Sequence, residues 1–285
     1  MTAELRAAPP RPPAWLWFLR VLVAFARREI ATMSGYRVAL VVRLLSFGIS
    51  VLALAFFSRM VGAAVNPYLA NFGGDYLAFV VIGLVLMDLQ QVGVTSLSQR
   101  IRYAQLMGLF EAELATPVPT WIVLAVGPVY EFTVAVGRTA VYFLLAAVLF
   151  GVRFPHASRL TLLVGAPLVV GAFVGIGLVS AATQMLVRRN NPVAVFLASA
   201  SFLLSGVAYP ATVLPPALRA LGRLLPMTHA LDLIRGALLR GAPLGELMEP
   251  VIALGLFGGI LIPVGAGLFA LALRRARVDG SLTHY

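Results

Sequence analysis

The chain has 285 residues, of which 60% are apolar and only 12% are charged, and its mean hydropathy is +0.94. A water-soluble domain cannot bury that much apolar surface, so the composition predicts an all-α polytopic membrane protein. At about 20 residues per crossing, the chain has room for about six transmembrane helices and none for a large soluble catalytic domain. There is no cysteine, which excludes disulfides and thiolate chemistry.

The net charge is +11, and every one of the 22 basic residues is arginine. A basic chain of this kind suggests nucleic acid only when the charges line a solvated face of a soluble fold. Here the arginines flank apolar stretches, as the positive-inside rule predicts for a membrane protein. Nucleic acid is therefore excluded as a partner, and membrane lipid is expected.

The N-terminal region has two parts. Residues 1–13 contain four prolines and no apolar periodicity, which predicts a disordered cytoplasmic tail. Residues 14–36 follow a helical period with an apolar arc opposite an arginine face, which is typical of an amphipathic helix lying in the membrane interface. A short helix of a soluble cap is the alternative. The residues that define the two faces are Trp15, Phe18, Leu19, Leu22, Phe25 and Ala26 against Arg20, Arg27 and Arg28.

Apolar segments then predict one membrane domain over residues 37–275, followed by a cytoplasmic tail at 276–285. The predicted spans are residues 38–61, 76–97, 121–150, 160–187, 192–207 and 251–273. The side of this six-span arrangement that holds both termini collects thirteen arginines, against seven on the other side. The bias predicts that both termini and the charged segment 100–119 are cytoplasmic.

The connection between the fifth and sixth predicted spans, residues 208–249, is too apolar for a solvated loop. It is also interrupted by proline too often to form a single span. Short helices that enter the outer leaflet and return fit this pattern, with an interfacial segment as the alternative. The prolines are Pro210, Pro215, Pro216, Pro226 and Pro243.

Ionisable side chains inside spans are costly and mark functional or paired positions. Arg43 lies close to the cytoplasmic edge of its span and is expected to reach the headgroups. Glu131 and Arg138 are seven residues apart, so they share a helix face and meet through their long side chains or through a neighbouring helix.

Asp88 lies in mid-span beside two amides, Gln90 and Gln91. A polar stripe of this kind is expected to face protein or a water-filled path rather than lipid. Structural pairing between spans is the alternative for all four ionisable residues.

No catalytic pattern is present in the sequence. The histidines are scattered without metal-ligand spacing, and no glycine-rich loop ends in Gly-Lys-Ser or Gly-Lys-Thr. The chain therefore has no phosphate-binding loop of its own, and neither a metal nor a cofactor is predicted.

Two ordered motifs carry a family resemblance. The first is Gly-x-Phe-Glu-x-x-Leu-Ala-Thr-Pro at residues 108–117. The second runs from Ser205-Gly206 through Tyr209-Pro210 and Leu214-Pro215 to Leu-Pro-Met-Thr-His-Ala at residues 225–230 and then Arg235. Together with the interfacial helix and the spans, the order of these motifs resembles that in the permease subunit of ABC-2 type exporters, and the resemblance covers nearly the whole chain. That family includes daunorubicin-type drug, nodulation-factor and polysaccharide export permeases. His229 departs from the family pattern, which commonly has an aromatic residue there.

The resemblance implies a homodimeric transmembrane subunit that works with two separate ATPase subunits, which bind ATP and Mg. It also implies a bacterial inner-membrane location and makes residues 100–119 the coupling helix, ended by Pro117 and Pro119. The docking residues it implies are Arg100, Arg102, Leu106, Gly108, Phe110, Glu111, Leu114, Thr116 and Pro117. The external gate it implies contains Tyr209, Pro210, Leu214 and Pro215.

The implied activity is export of a lipidic, amphipathic or drug-like substrate, with a glycan or lipid-linked glycan as a further candidate. The apolar interior favours a lipidic or amphipathic cargo. Two other classes remain open: a secondary transporter that uses the mid-span charges for an ion cycle, and a non-transporting membrane scaffold.

Overall fold

The computed structural model describes residues 14–31, 38, 41–42, 44–58, 75–106, 120–187 and 192–278. This part of the chain is helical apart from its connections and contains no strand, so the all-α prediction is confirmed. The α-helices are α1 Ala14–Ala31, α2 Leu44–Ser58, α3 Tyr76–Leu106, α4 Thr120–Phe150, α5 Arg159–Val187, α6 Pro192–Leu204, α7 Pro216–Gly222, α8 Pro226–Arg235 and α9 Met248–Val278. A π-helical turn, Gly236–Arg240, continues α8, and short 3-10 turns occur at Ala211–Val213 and Leu244–Leu247.

Four of the described helices are long and apolar enough to cross a membrane. Their candidate spans are Tyr76–Tyr103, Pro128–Phe150, Arg159–Met185 and Leu244–Arg275. The chain is therefore a polytopic membrane protein. Helices α2 and α6 are apolar but shorter.

Two of the predicted boundaries differ from the structure. Helix α3 continues past residue 97 to Leu106, because residues 98–106 contain neither glycine nor proline to end it. Arg100 and Arg102 therefore lie in the last turns of α3. The predicted fifth span is a helix of only 13 residues, which reaches about 20 Å and is too short to cross a ~30 Å hydrocarbon layer.

Helix α3 is the most buried of the four long helices and packs against α4, α5 and α8. Its fully buried Ile82 belongs to the same core cluster as Phe173 of α5 and Met227 and Leu231 of α8. Helix α9 covers the other side of α5. The interior is thus built around α3, with the connection between α6 and α9 included in it.

Glycines let the long helices approach closely, which is how helices commonly associate in lipid. A methyl group at Gly177 of α5 would overlap the carbonyl oxygen of Gly93 in α3. On the opposite side of α5, a Cβ at Gly175 would lie 2.7 Å from Leu261 Cβ of α9. Gly93, Gly175 and Gly177 are therefore contact positions between helices.

The substitution Gly177→Ala is expected to destabilise the protein, because the added methyl group forces α3 and α5 apart. Overpacking of this kind costs about 1–3 kcal/mol and lowers Tm by about 2–4 °C per kcal/mol in a chain of this size. Gly171→Ala on the same helix is the matched control, since a Cβ there meets nothing within 4 Å. Thermal unfolding of both variants in detergent measures the difference; equal Tm values would contradict the close contact.

Candidate functional site

The connection between α6 and α9 is held to the long helices by a buried cation, Arg235 at the end of α8. Its Nη1 donates to the carbonyl oxygen of Gly206 at 2.8 Å, and its Nη2 donates to that of Val207 at 2.7 Å. The Nε and Nη2 groups also donate to the carbonyl oxygen of Phe79 in α3, at 3.2 and 3.1 Å. Only 3% of Arg235 is exposed, and its guanidinium lies 3.3 Å from the centre of the Phe79 ring.

The position of Arg235 has a local cause. Gly206 and Val207 follow the last turn of α6, where carbonyl groups have no partner within the helix and the helix dipole favours a cation. The planar guanidinium offers several donors in a fixed fork, which suits three carbonyl groups at once. Arg235 therefore joins the end of α6 to the N-terminal half of α3.

Two neighbouring features allow this approach. Gly206 has φ +74°, a left-handed conformation that glycine adopts without strain and that turns the chain out of α6. Gly83 on α3 has no side chain to obstruct the turn, since a Cβ there would overlap the carbonyl oxygen of Val207. The Tyr76 hydroxyl adds a hydrogen bond to the carbonyl oxygen of Ala208 at 3.1 Å.

The residues predicted for an external gate lie beside this clamp. The half-buried Tyr209 donates its hydroxyl to the carbonyl oxygen of Leu203, and burial raises the pKa of Tyr209, so the hydroxyl stays protonated and can donate. Pro210 is buried, Leu214 is half-buried, and Pro215 is exposed directly before α7. The structure therefore brings all four into one short turn-rich segment.

At mid-membrane, Asp88 of α3 binds Arg138 of α4. The Arg138 Nε and Nη2 groups both donate to Asp88 Oδ2, at 2.9 and 2.5 Å. The Arg138 side chain is 4% exposed and that of Asp88 is 27% exposed. An ion pair in this setting neutralises two charges that would each be costly inside the bilayer.

The ion pair is extended to a third helix by ring contacts. The Arg138 guanidinium lies 6.0 Å from the centre of the Tyr142 ring, one turn further along α4. Tyr142 stacks on Phe47 of α2, with ring centres 3.9 Å apart and planes 12° apart. The ion pair and the stacked rings thus connect helices α2, α3 and α4.

The other predicted residues are distributed as follows. Gln91 is exposed on α3 one turn after Asp88, and Glu131 is half-buried on α4. On α1, which packs against α4, Trp15 and Arg27 are exposed while Phe18 and Leu22 are half-buried. Arg102 is exposed at the end of α3, and Arg100 is partly exposed. The described residues do not include Arg43, Gly108, Phe110, Glu111, Leu114, Thr116 and Pro117, nor the side chains of Arg28 and Leu106.

Sequence reasoning placed Arg235 at the end of the second motif but did not predict its role as a buried donor to backbone carbonyl groups. The signal that pointed to it is an arginine at the end of a short helix whose other residues are mostly apolar. It also missed the buried hydrogen bond from Gln90 Nε2 to Ser201 Oγ at 2.9 Å, which joins α3 to α6. The sequence signals for this hydrogen bond were a glutamine beside a mid-span aspartate and a serine within an apolar run.

A bundle of long apolar helices around α3, with a proline-broken connection clamped to it by Arg235, defines an all-α polytopic membrane protein. The family described as ABC-2 type transporter matches residues 20–239, and the chain belongs to that family. The matched domain is the membrane part of an ABC-type permease, which has no ATP-binding site of its own. A search of curated proteins finds no match.

Replacing Arg235 by lysine is expected to destabilise the outer connection, because one ammonium group cannot reach three carbonyl groups together. The loss of charge-assisted hydrogen bonds in a buried position predicts a decrease of about 3 kcal/mol or more in the free energy of unfolding. Arg223→Lys is the control in the same connection, since Arg223 is exposed. Thermal unfolding and limited proteolysis in detergent measure the effect, and a Tm equal to that of Arg223→Lys would refute the clamp.

The ion pair between Asp88 and Arg138 is testable by a double-mutant cycle. Asp88→Leu alone leaves Arg138 buried without its partner, which predicts a loss of about 3–5 kcal/mol. The double variant Asp88→Leu with Arg138→Leu removes both charges and is expected to be more stable than either single variant. Additive losses in thermal unfolding would show that the two side chains do not interact.

Proposed function

We propose that this chain is the permease subunit of an ATP-driven ABC-2 type exporter. The observation that supports the proposal most directly is the family match over residues 20–239, which covers α3, α4, α5, α6 and α8. Permeases of this family generally work with an ABC ATPase subunit. We therefore propose that two such ATPase subunits, each binding ATP and Mg, drive a dimer of this chain.

The ATPase would dock on residues 100–119 through the docking residues implied by the family resemblance. Arg100 and Arg102, in the last turns of α3, stand next to that segment in the sequence. Helix α3 has 31 residues and is about 46 Å long, and at its outer half Phe79 accepts hydrogen bonds from Arg235. This continuity supports α3 as the element that carries movement from the ATPase to the outer connection.

In this mechanism, ATP binding shifts the population between inward-open and outward-open arrangements of the dimer. The segment with Tyr209, Pro210, Leu214 and Pro215 is the external gate, and it opens when α3 and the clamped connection move together. A rigid clamp suits this role, because a loose connection would absorb the movement instead of passing it on.

The proposed location is a bacterial inner membrane with both termini in the cytoplasm. The arginine bias of the sequence supports this orientation. The interfacial helix α1 would lie at the same side, with Trp15 directed toward the apolar interior of the bilayer and Arg27 toward the lipid headgroups. The proposed cargo is lipidic, amphipathic or drug-like, with a glycan or lipid-linked glycan as a further candidate.

A secondary transporter is the second candidate function, and the Asp88–Arg138 pair favours it, because transporters that use ions carry charged groups at mid-membrane. Transport by the purified chain in a pH gradient without any ATPase would support this candidate. Transport that requires ATP and a co-purified ATPase supports the exporter.

The test of the exporter is co-purification from native membranes with a tagged chain, followed by transport in lipid vesicles. The ATPase subunit is expected to co-purify with the wild type and to be lost with Phe110→Ala. Removing one buried phenylalanine from an interface costs about 1.5–3 kcal/mol, or at least about a tenfold weaker association. Glu111→Ala is expected to uncouple ATP hydrolysis from export without affecting membrane insertion.

Glu246→Ala is the control for these variants, because Glu246 is an exposed acid in the connection before α9. Normal coupling in both Phe110→Ala and Glu111→Ala would contradict the proposed docking segment.

A further inference from the structure

The long helices other than α3 expose mainly apolar side chains along their length. Leu144 and Val148 of α4, Leu163 of α5, and Leu256 and Ile260 of α9 are all more than half exposed. Such surfaces are suited to contact with lipid tails. One exposed surface, on α3, is polar instead.

The exception is α3. Among its described side chains past the first turn, the exposed ones are Gln91, Gln99, Arg102 and Tyr103, and Asp88 and Thr95 are partly exposed. At 100° per residue, five of these fall within an arc of about 80° and extend over about 21 Å of the helix. We call this surface the polar stripe; it consists of Asp88, Gln91, Thr95, Gln99 and Arg102.

Several polar groups of the stripe are free to bind a ligand. Both hydrogen bonds from Arg138 end on Asp88 Oδ2, so Oδ1 accepts none from the described residues. The side-chain amides of Gln91 and Gln99 likewise have no hydrogen-bond partner within the described chain. Thr95 donates to the backbone carbonyl oxygen of Gln91 at 2.7 Å and keeps its acceptor capacity.

Contact of the stripe with lipid tails is unfavourable, because an amide without a hydrogen bond in hydrocarbon costs on the order of several kcal/mol. The stripe therefore faces water or another polar surface. Toward the outer side, the same arc of α3 continues with Leu84 and Leu77, which are half-buried. The polar surface is thus open toward the end of α3 that carries Arg102 and is closed by leucines beyond Asp88.

A second copy of the chain does not suit this surface as a tightly packed partner. In a two-fold dimer with its axis along the membrane normal, a stripe near the axis meets the same stripe of the other copy. Arg102 would then face Arg102 and Asp88 would face Asp88, which places like charges together. A water-filled space between the copies avoids this repulsion.

We propose that the polar stripe lines the inward half of a hydrated path and binds the uncharged, polyhydroxylated part of a cargo, such as a saccharide; this rests on the proposed export function. Carboxylate and hydroxyl oxygens accept hydrogen bonds from hydroxyl groups, and amides both donate and accept. Arg138 offsets the charge of Asp88, so the centre of the stripe does not require a charged ligand. A glycan-bearing cargo fits this surface better than a purely apolar drug.

The absence of cysteine from the sequence makes the path directly testable. Single cysteines at Gln91, Thr95 and Gln99 are introduced into the permease–ATPase complex in lipid nanodiscs and treated with a charged, lipid-insoluble methanethiosulfonate reagent. Leu144→Cys and Leu256→Cys are matched controls on exposed apolar surfaces. The stripe cysteines are expected to react at least about tenfold faster than the controls, because only the thiolate in water reacts.

Reaction at Gln91→Cys as slow as at Leu144→Cys would overturn the hydrated path. So would efficient oxidation of Gln91→Cys into a disulfide between two copies, which would show that the stripes pack together. Either result leaves the ATPase co-purification unaffected, so the two proposals fail separately.

The cargo class is tested with maltoheptaose, a neutral oligosaccharide, and with tetraphenylphosphonium, an apolar cation. Maltoheptaose is expected to slow the reaction of Gln91→Cys several-fold, and tetraphenylphosphonium is expected to leave it unchanged. Adding Gln99→Leu to this variant is expected to weaken that protection, because it removes a hydrogen-bonding amide from the stripe. Protection by the cation alone, or by neither compound, would overturn the saccharide assignment.

Discussion

The hydrogen bonds of the Arg235 guanidinium group are the interaction on which the connection between α6 and α9 depends. The guanidinium group satisfies carbonyl groups from two different elements, and it occupies a place from which water is excluded. Without it, the carbonyl groups after α6 would be buried without partners, which costs more than the hydrogen bonds themselves contribute. The left-handed Gly206 and the missing side chain at Gly83 have value only because this cation is present.

Helix α3 connects this clamp with the Asp88–Arg138 ion pair. Its N-terminal half receives Arg235, its middle binds Arg138, and its C-terminal end carries the exposed Arg102. Gly93 brings α5 into close contact with the same helix. Helix α3 is therefore attached to its neighbours at several points along its length.

Much of the fold was predictable because membrane crossing imposes a strong requirement on sequence. A long apolar run can be identified without knowing which segments it contacts. The spans that form α3, α4, α5 and α9 were therefore recognised. The short α6 was overestimated, since the turn at Gly206 depends on contacts with Arg235 and Tyr76 that are distant in sequence. Asp88 and Arg138 were both identified as unusual, but the hydrogen bonds between them join positions 50 residues apart, and no local pattern encodes that separation.

The sequence by itself determined that this is a helical membrane protein, identified the four long apolar segments, and pointed to its family, because hydropathy and ordered motifs are local properties of the chain. The tertiary structure decided which charge pairs with which, that Arg235 is buried rather than solvated, and that the polar residues of α3 form one exposed surface. These outcomes depend on which helix faces are covered by neighbours. The burial of a helix face by its neighbours is set by tertiary packing, and a single segment of sequence does not determine it.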